Sequence, residues 1–254
     1  MDLKQRLELA QMIVTSASGV VMSHFRKPID VMTKPDESPV TIADQATERA
    51  IRLALEKHHP GEAICGEEFG QTGDARDMWI VDPIDGTRSF LTGLPLFGML
   101  LGYVRDGAAQ LGVINMPALQ ERYAGGHGLG ATLNGTPIAT SGCARLADAR
   151  LFINEGDKLA AQEPEVFSRL IVAGSLRRLS ADCYPHALVA SGHADAVVDF
   201  DLQPYDYLPV SAVVEAAGGR MTDWQGKLLT INSGGRTLTA ATPELLAELV
   251  ALVN

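Results

Sequence analysis

Cysteine is scarce in this 254-residue chain: Cys65, Cys143 and Cys183 lie far apart. They are too few for a disulfide framework and wrongly spaced for a structural zinc site, so buried thiols and a reducing, cytoplasmic setting are expected. No apolar run approaches the length of a bilayer span. The first twenty residues mix acidic and basic side chains and lack a continuous apolar stretch, so neither a membrane span nor a signal peptide is expected. Positive charge is short as well, with 21 Lys and Arg against 31 Asp and Glu, a formal net charge of −10 and no basic cluster. That balance argues against nucleic acid and anionic membranes as partners. It would also repel an anionic substrate unless bound cations reversed the sign locally.

With 46% hydrophobic and 20% charged residues, the chain can bury a sizeable core in one large domain or two smaller ones. Asp2 precedes apolar residues at helical spacing from Leu3 to Phe25, which predicts a first helix ending at Pro28. A surface loop is expected from Lys27 to Pro39, and Thr41 caps a second helix reaching about His58. Short β-type runs at 63–65, 78–81, 97–104, 110–114 and 122–124 read as an antiparallel meander. The weakly periodic stretch Gly135 to Asp148 separates an α+β half, residues 1–143, from an α/β half, residues 144–254. In the second half strands are expected at 149–153, 194–198, 220–222 and 237–241. Helices are expected near 164–170, 180–191, 207–217 and 243–253.

The chemistry concentrates in Trp79-Ile80-Val81-Asp82-Pro83-Ile84-Asp85-Gly86-Thr87, an apolar strand running into two carboxylates three residues apart and then a Gly-Thr pair that can open a helix. Carboxylate oxygens suit a divalent cation, and amides at a helix start suit a phosphate oxygen. Asp44, Glu67 and Asp206 also stand beside capping or turn residues. Each alone is an ordinary turn aspartate or glutamate.

Taken in order, Ser38-Pro39-Val40-Thr41 through Asp44, Gly66-Glu67-Glu68, Trp79 to Phe90, and Pro204-Tyr205-Asp206 followed by Glu215-Ala216-Ala217-Gly218-Gly219 resemble the inositol monophosphatase superfamily of Mg²⁺-dependent, lithium-sensitive phosphatases. The resemblance covers nearly the whole chain. It implies a layered αβαβα sandwich of the sugar phosphatase type, a homodimer, and two or three Mg²⁺ ions per site, with Mn²⁺ as a substitute. It places Glu67, Asp82 and the Ile84 carbonyl on one cation and Asp82, Asp85 and Asp206 on a second, with Glu67 and water holding a weaker third. It gives Asp44, Glu67 and Thr87 the handling of the attacking water, and the backbone of Gly86 and Thr87 the phosphate.

For the alcohol portion, the resemblance points to Asp199 and Asp85. Asp182-Cys183-Tyr184 and the segment around Pro204-Tyr205-Asp206 look most like the histidinol-phosphate phosphatase branch, with Gln203 where that branch has lysine. Carboxylates at Asp182 and Asp199 would favour the cationic amine of L-histidinol phosphate, and Arg178 is a further substrate candidate, alongside Arg88 and Arg177. Inositol 1-phosphate and a nucleotide 3′,5′-bisphosphate are the alternative substrates, and a silent regulatory protein of the same fold is the non-enzyme alternative. Several signals have plainer readings. His58-His59 is a solvated helix end, Gly125 to Gly130 a hairpin turn, Cys183 to His186 no zinc site, and Ser191-Gly192-His193 a helix stop.

Overall fold

The computed structural model describes residues 1–33, 39–73 and 76–254. Helix α1 (Leu3–His24) begins where the Asp2 carboxylate accepts the Gln5 N–H at 2.8 Å and the Gln5 side chain returns a bond to the Asp2 N–H. It buries Leu9, Ile13, Val14, Ala17 and Val21 along one stripe. The segment expected as a loop carries a short hairpin, β1 (Val31–Thr33) and β2 (Pro39–Thr41), while residues 34–38, including Ser38, lie outside the described residues. Helix α2 (Ile42–His58) follows, capped by Thr41 as expected.

Next come β3 (Ala63–Gly66), β4 (Gly70–Thr72), β5 (Asp77–Asp85), the short α3 (Thr87–Thr92), β6 (Gly98–Arg105), β7 (Ala108–Met116), β8 (Glu121–Gly126), β9 (Gly130–Leu133) and β10 (Thr136–Ile138). Among the described residues β3 to β10 form one eight-stranded sheet in the order β10-β9-β8-β7-β6-β5-β3-β4. The expected meander holds from β5 to β8 and runs on through the unexpected β9 and β10, but β3 pairs parallel with β5. The middles of strands β5, β6 and β7 are apolar because both sheet faces are covered there: Trp79 and Val81 join the core under α1 and α2, and Met78 and Ile80 the opposite core.

After a 3₁₀ turn (Leu146–Asp148), the second half runs β11 (Arg150–Ile153), α4 (Gly156–Gln162), α5 (Pro164–Leu170), β12 (Leu176–Leu179), α6 (Tyr184–Ala190), β13 (Ala196–Asp199), α7 (Pro204–Ala216), β14 (Arg220–Asp223), β15 (Thr237–Ala240) and α8 (Pro243–Val253). Its five strands order as β12-β11-β13-β15-β14, with β12, β11 and β13 mutually parallel. Helices α6 and α7 fill the space between the two sheets, and α5 and α8 cover the far face. The result is the layered αβαβα sandwich. The helix expected from Ser180 starts only at Tyr184, because Ser180 and Asp182 adopt left-handed backbone that cannot continue as helix. Conversely, α7 starts at Pro204, three residues before its expected start, because a proline suits the first turn, where its missing N–H would go unused.

Strands β6, β7 and β8 carry Gly102, Gly112 and Gly125 in one row across the sheet. A Cβ at Gly112 would fall on the Pro209 carbonyl, and one at Gly125 would lie 3.1 Å from the Val213 Cα. This bare row lets the backbone of α7 settle directly on the sheet. It fixes how near the start of α7 comes to the end of β5. No helix among the described residues is long and apolar enough to cross a membrane.

Candidate metal centre and its cleft

Residues three apart on a regular strand face opposite ways. Asp82 pairs with Leu100 and Asp85 with Gly98, so three steps along β5 are matched by only two along β6. This bulge restores the parity and turns both carboxylates to one side. Pro83, which has no N–H for the ladder, sits at the irregularity, and the Ile84 N–H donates to Asp82 Oδ1 at 2.9 Å. Asp206 arrives on the first turn of α7, its Oδ2 accepting the Gln203 N–H at 2.7 Å. One carboxylate oxygen from each of Asp82, Asp85 and Asp206 lies within 4.8 Å of the other two.

Burial, then the charges of Glu67 and Asp206, push the Asp82 carboxyl well above its ordinary range. Burial, then Asp182 and Asp206, do the same to Asp85, although the Cys183 N–H donates to its Oδ2 at 2.7 Å. Burial outweighs the Gln203 N–H and pushes Asp206 up to about 7. Burial likewise pushes Asp182 up to about 6, against the Ser89 hydroxyl 2.5 Å away. Crowded acids of this kind repel one another until a cation is shared among them. The donors are all hard oxygens, with no thiolate or imidazole in the triad, so the residues present fit Mg²⁺ or a similar hard divalent ion.

The triad opens into a cleft of about 510 Å³. On one wall stand Glu67, Ile84, Gly86 and Thr87. Gly86 has φ 83° and no room for a side chain, since a Cβ would lie 2.7 Å from the Asp182 Cγ. The Thr87 hydroxyl donates to the Ile84 carbonyl at 3.2 Å. The other wall comes from the second sheet. Strands β11, β12 and β13 point their carboxyl ends at the cleft and deliver Asn154, the turn Ser180 to Asp182, and Asp199, the usual place for a ligand beside parallel strands. Lys158 pairs with Glu155 and Asp201 at 2.9 Å each across the cleft's rim.

The structure thus brings together Glu67, Asp82, Ile84, Asp85, Gly86, Thr87, Asp182, Asp199 and Asp206. Asp44 stands behind this wall, buried at 1% exposure, with the Thr41 N–H and hydroxyl both donating to its Oδ2. Burial raises its carboxyl despite those bonds, and the nearby Glu67 adds to the rise. Arg178 is not part of the assembly: it lies exposed on the edge strand β12, outside the cleft lining. Arg177 bonds the Ala173 and Gly174 carbonyls, and Arg88 lies at the rim, 3.5 Å from Asp157. His59, expected in solvent, is instead buried beside Glu62 and Trp79.

Asn154, Glu155, Lys158, His186 and Asp201 line the cleft without having been singled out as site residues from sequence. The first two had a signal, because Asn154-Glu155-Gly156 follows a strand and opens a helix just as Asp85-Gly86-Thr87 does.

Compared with known proteins, the chain matches the inositol monophosphatase family over residues 2–254. It is 41% identical over 218 residues to the bifunctional phosphatase IMPL2, chloroplastic, of Arabidopsis thaliana, covering 84% of this chain and 63% of that longer protein. It is 38% identical over 257 residues to the histidinol-phosphatase of Chlorobaculum parvum, covering 100% of this chain and 96% of that one. Among solved structures, an inositol monophosphatase from Zymomonas mobilis superposes with a TM-score of 0.90 at 35% identity, covering 100% of this chain and 99% of its own.

Proposed function

The chain belongs to the inositol monophosphatase family, and on that premise we propose that it hydrolyses a small phosphomonoester with the help of divalent cations, its leading substrate being L-histidinol phosphate. The observation that carries the reading is the convergence of Asp82, Asp85 and Asp206, delivered from two distant parts of the chain. Glu67, Asp82, Asp85, Asp206 and the Ile84 carbonyl would hold Mg²⁺ or Mn²⁺, which when bound polarises phosphoryl oxygens and acidifies a water. The chain's own groups then do the placing. The backbone of Gly86 and Thr87 receives the phosphate oxygens. Helix α3 has only six residues, so individual N–H groups matter here more than a helix dipole. Thr87 and Asp44 orient the attacking water, and Glu67 assists removal of its proton.

The alcohol portion of the ester extends toward Asp182, Asp199 and the rim acids Glu155 and Asp201. L-Histidinol phosphate carries an ammonium group at neutral pH, and these carboxylates attract it more strongly than a neutral polyol. The 38% identity to a histidinol-phosphatase supports the same choice. The test is phosphate release from L-histidinol phosphate, inositol 1-phosphate and adenosine 3′,5′-bisphosphate, with and without Mg²⁺. The expected result is Mg²⁺-dependent turnover with the highest kcat/KM on L-histidinol phosphate. A higher value on inositol 1-phosphate would reverse the substrate assignment, and no release from any ester would remove the phosphatase reading.

A further inference from the structure

At the alcohol end of the cleft, Asp199 is only 2% exposed and is held on three sides. Its Oδ1 accepts the Phe200 N–H at 2.8 Å. Its Oδ2 accepts twice, from Asn154 Nδ2 at 2.7 Å and from His186 Nε2 at 3.0 Å. A carboxylate offers roughly four acceptor positions, two on each oxygen. Oδ2 is therefore filled by protein donors, and a single position is left, on Oδ1.

His186 is itself 2% exposed and gripped from behind, its Nδ1 lying 2.8 Å from the Thr239 hydroxyl on β15. Because a carboxylate only accepts, Nε2 carries the proton of this bond. Asn154 does a second task. Its Nδ2 also donates to the Asp182 carbonyl at 2.8 Å, and its Oδ1 accepts the Ala181 N–H at 3.2 Å. That clamps the left-handed turn whose φ values are 49° at Ser180 and 52° at Asp182. The two cleft acids on this side are thus tied to each other through one amide.

We propose that His186 and Asn154 are positioning residues for substrate discrimination, jointly aiming Asp199 so that its one remaining acceptor position meets the charged alcohol portion of the substrate. Neither touches the reacting phosphorus. The inference rests on the phosphatase reading above and adds to it the residues that set the choice of ester.

The experiment compares kcat and KM of the wild type, His186→Leu, His186→Gln and Asn154→Ser on L-histidinol phosphate and on inositol 1-phosphate, whose alcohol portion is neutral, with thermal melts of each. Losing a hydrogen bond to a charged group should raise KM for L-histidinol phosphate about tenfold in His186→Leu and lower the ratio of the two kcat/KM values by about the same factor. His186→Gln keeps a donor on the ring's side and should recover most of that ratio, and Asn154→Ser should lower it. An equal loss on both esters, or a fall in kcat alone, would overturn the inference in favour of a purely structural role. If His186→Leu fails to fold, Asn154→Ser decides, and an unchanged ratio in that variant sinks the proposal. If the wild type prefers inositol 1-phosphate, the substrate assignment and this inference both fall. If it releases phosphate from neither, the phosphatase reading falls first, a result that needs no variant.

Discussion

At the scale of single residues, the site crowds its own acids together, and this gives opposite expectations for activity and stability. Asp85→Asn removes a cation ligand and one of the mutually repelling charges. Turnover should fall at least about a hundredfold, while the metal-free protein should melt no lower than the wild type at neutral pH. Near-normal hydrolysis by that variant would refute the ligand assignment. The pH dependence follows from Asp206 at about 7 and Asp182 at about 6, against the usual carboxyl value of 3.8. The folded chain keeps these protons to higher pH than the unfolded chain, so their contribution favours folding most below the ordinary value and fades as pH rises through 6 to 7. His59, whose burial lowers its value, works the other way over part of the range. Metal-free wild type should therefore lose more stability than Asp206→Asn between about pH 5 and about pH 8 in thermal melts; an equal loss in both would contradict the assigned origin. The aspartates were legible in sequence because each stands at a strand end or helix start with Gly, Pro or Thr beside it. His186 was not, since a buried polar residue in an apolar run shows its partner only after folding.

At the scale of elements, the glycine row on β6, β7 and β8 sets the depth of α7 and hence the position of Asp206. Gly112→Ala forces a Cβ onto the Pro209 carbonyl and should cost about 2 kcal/mol, or roughly 5 °C in Tm. Because the helix must shift, cation affinity should weaken as well, measurable by titrating Mn²⁺ with the variant. A variant with wild-type melting and affinity would show that α7 has slack. Helices α1, α2 and α8 were readable from caps and apolar stripes. The edge strands β4 and β12 were not, because they are three or four residues long and exposed, leaving no alternation of burial to read. The bulge in β5 was equally hidden, since a register shift belongs to a strand pair and not to either strand alone. The paired strands β1 and β2 escaped for a related reason, each being three residues long.

At the scale of the whole molecule, the proposed ligands Asp82, Asp85 and Asp206 come from β5 and from the distant α7, so a bound cation would tie these elements together. Mg²⁺ at a hundred times its dissociation constant should stabilise the fold by about 2.7 kcal/mol, and EDTA should reverse the shift. Absence of any Tm shift at saturating Mg²⁺ would argue against a site in this cleft. The order of layers was legible because helix-then-strand and strand-helix alternation separate along the chain, whereas the cleft between the layers was not, being formed by residues that no local pattern links. The distance along the chain between β5 and α7 also dictates a sequence of events in time. The β5–β6–β7 pairings join neighbouring segments and can close early, but Asp206 reaches them only once a far later helix has seated on the bare strip of sheet. Ion capture during refolding should thus lag behind formation of the first sheet, and a luminescent lanthanide added at the start of renaturation would report the moment at which the last wall arrives.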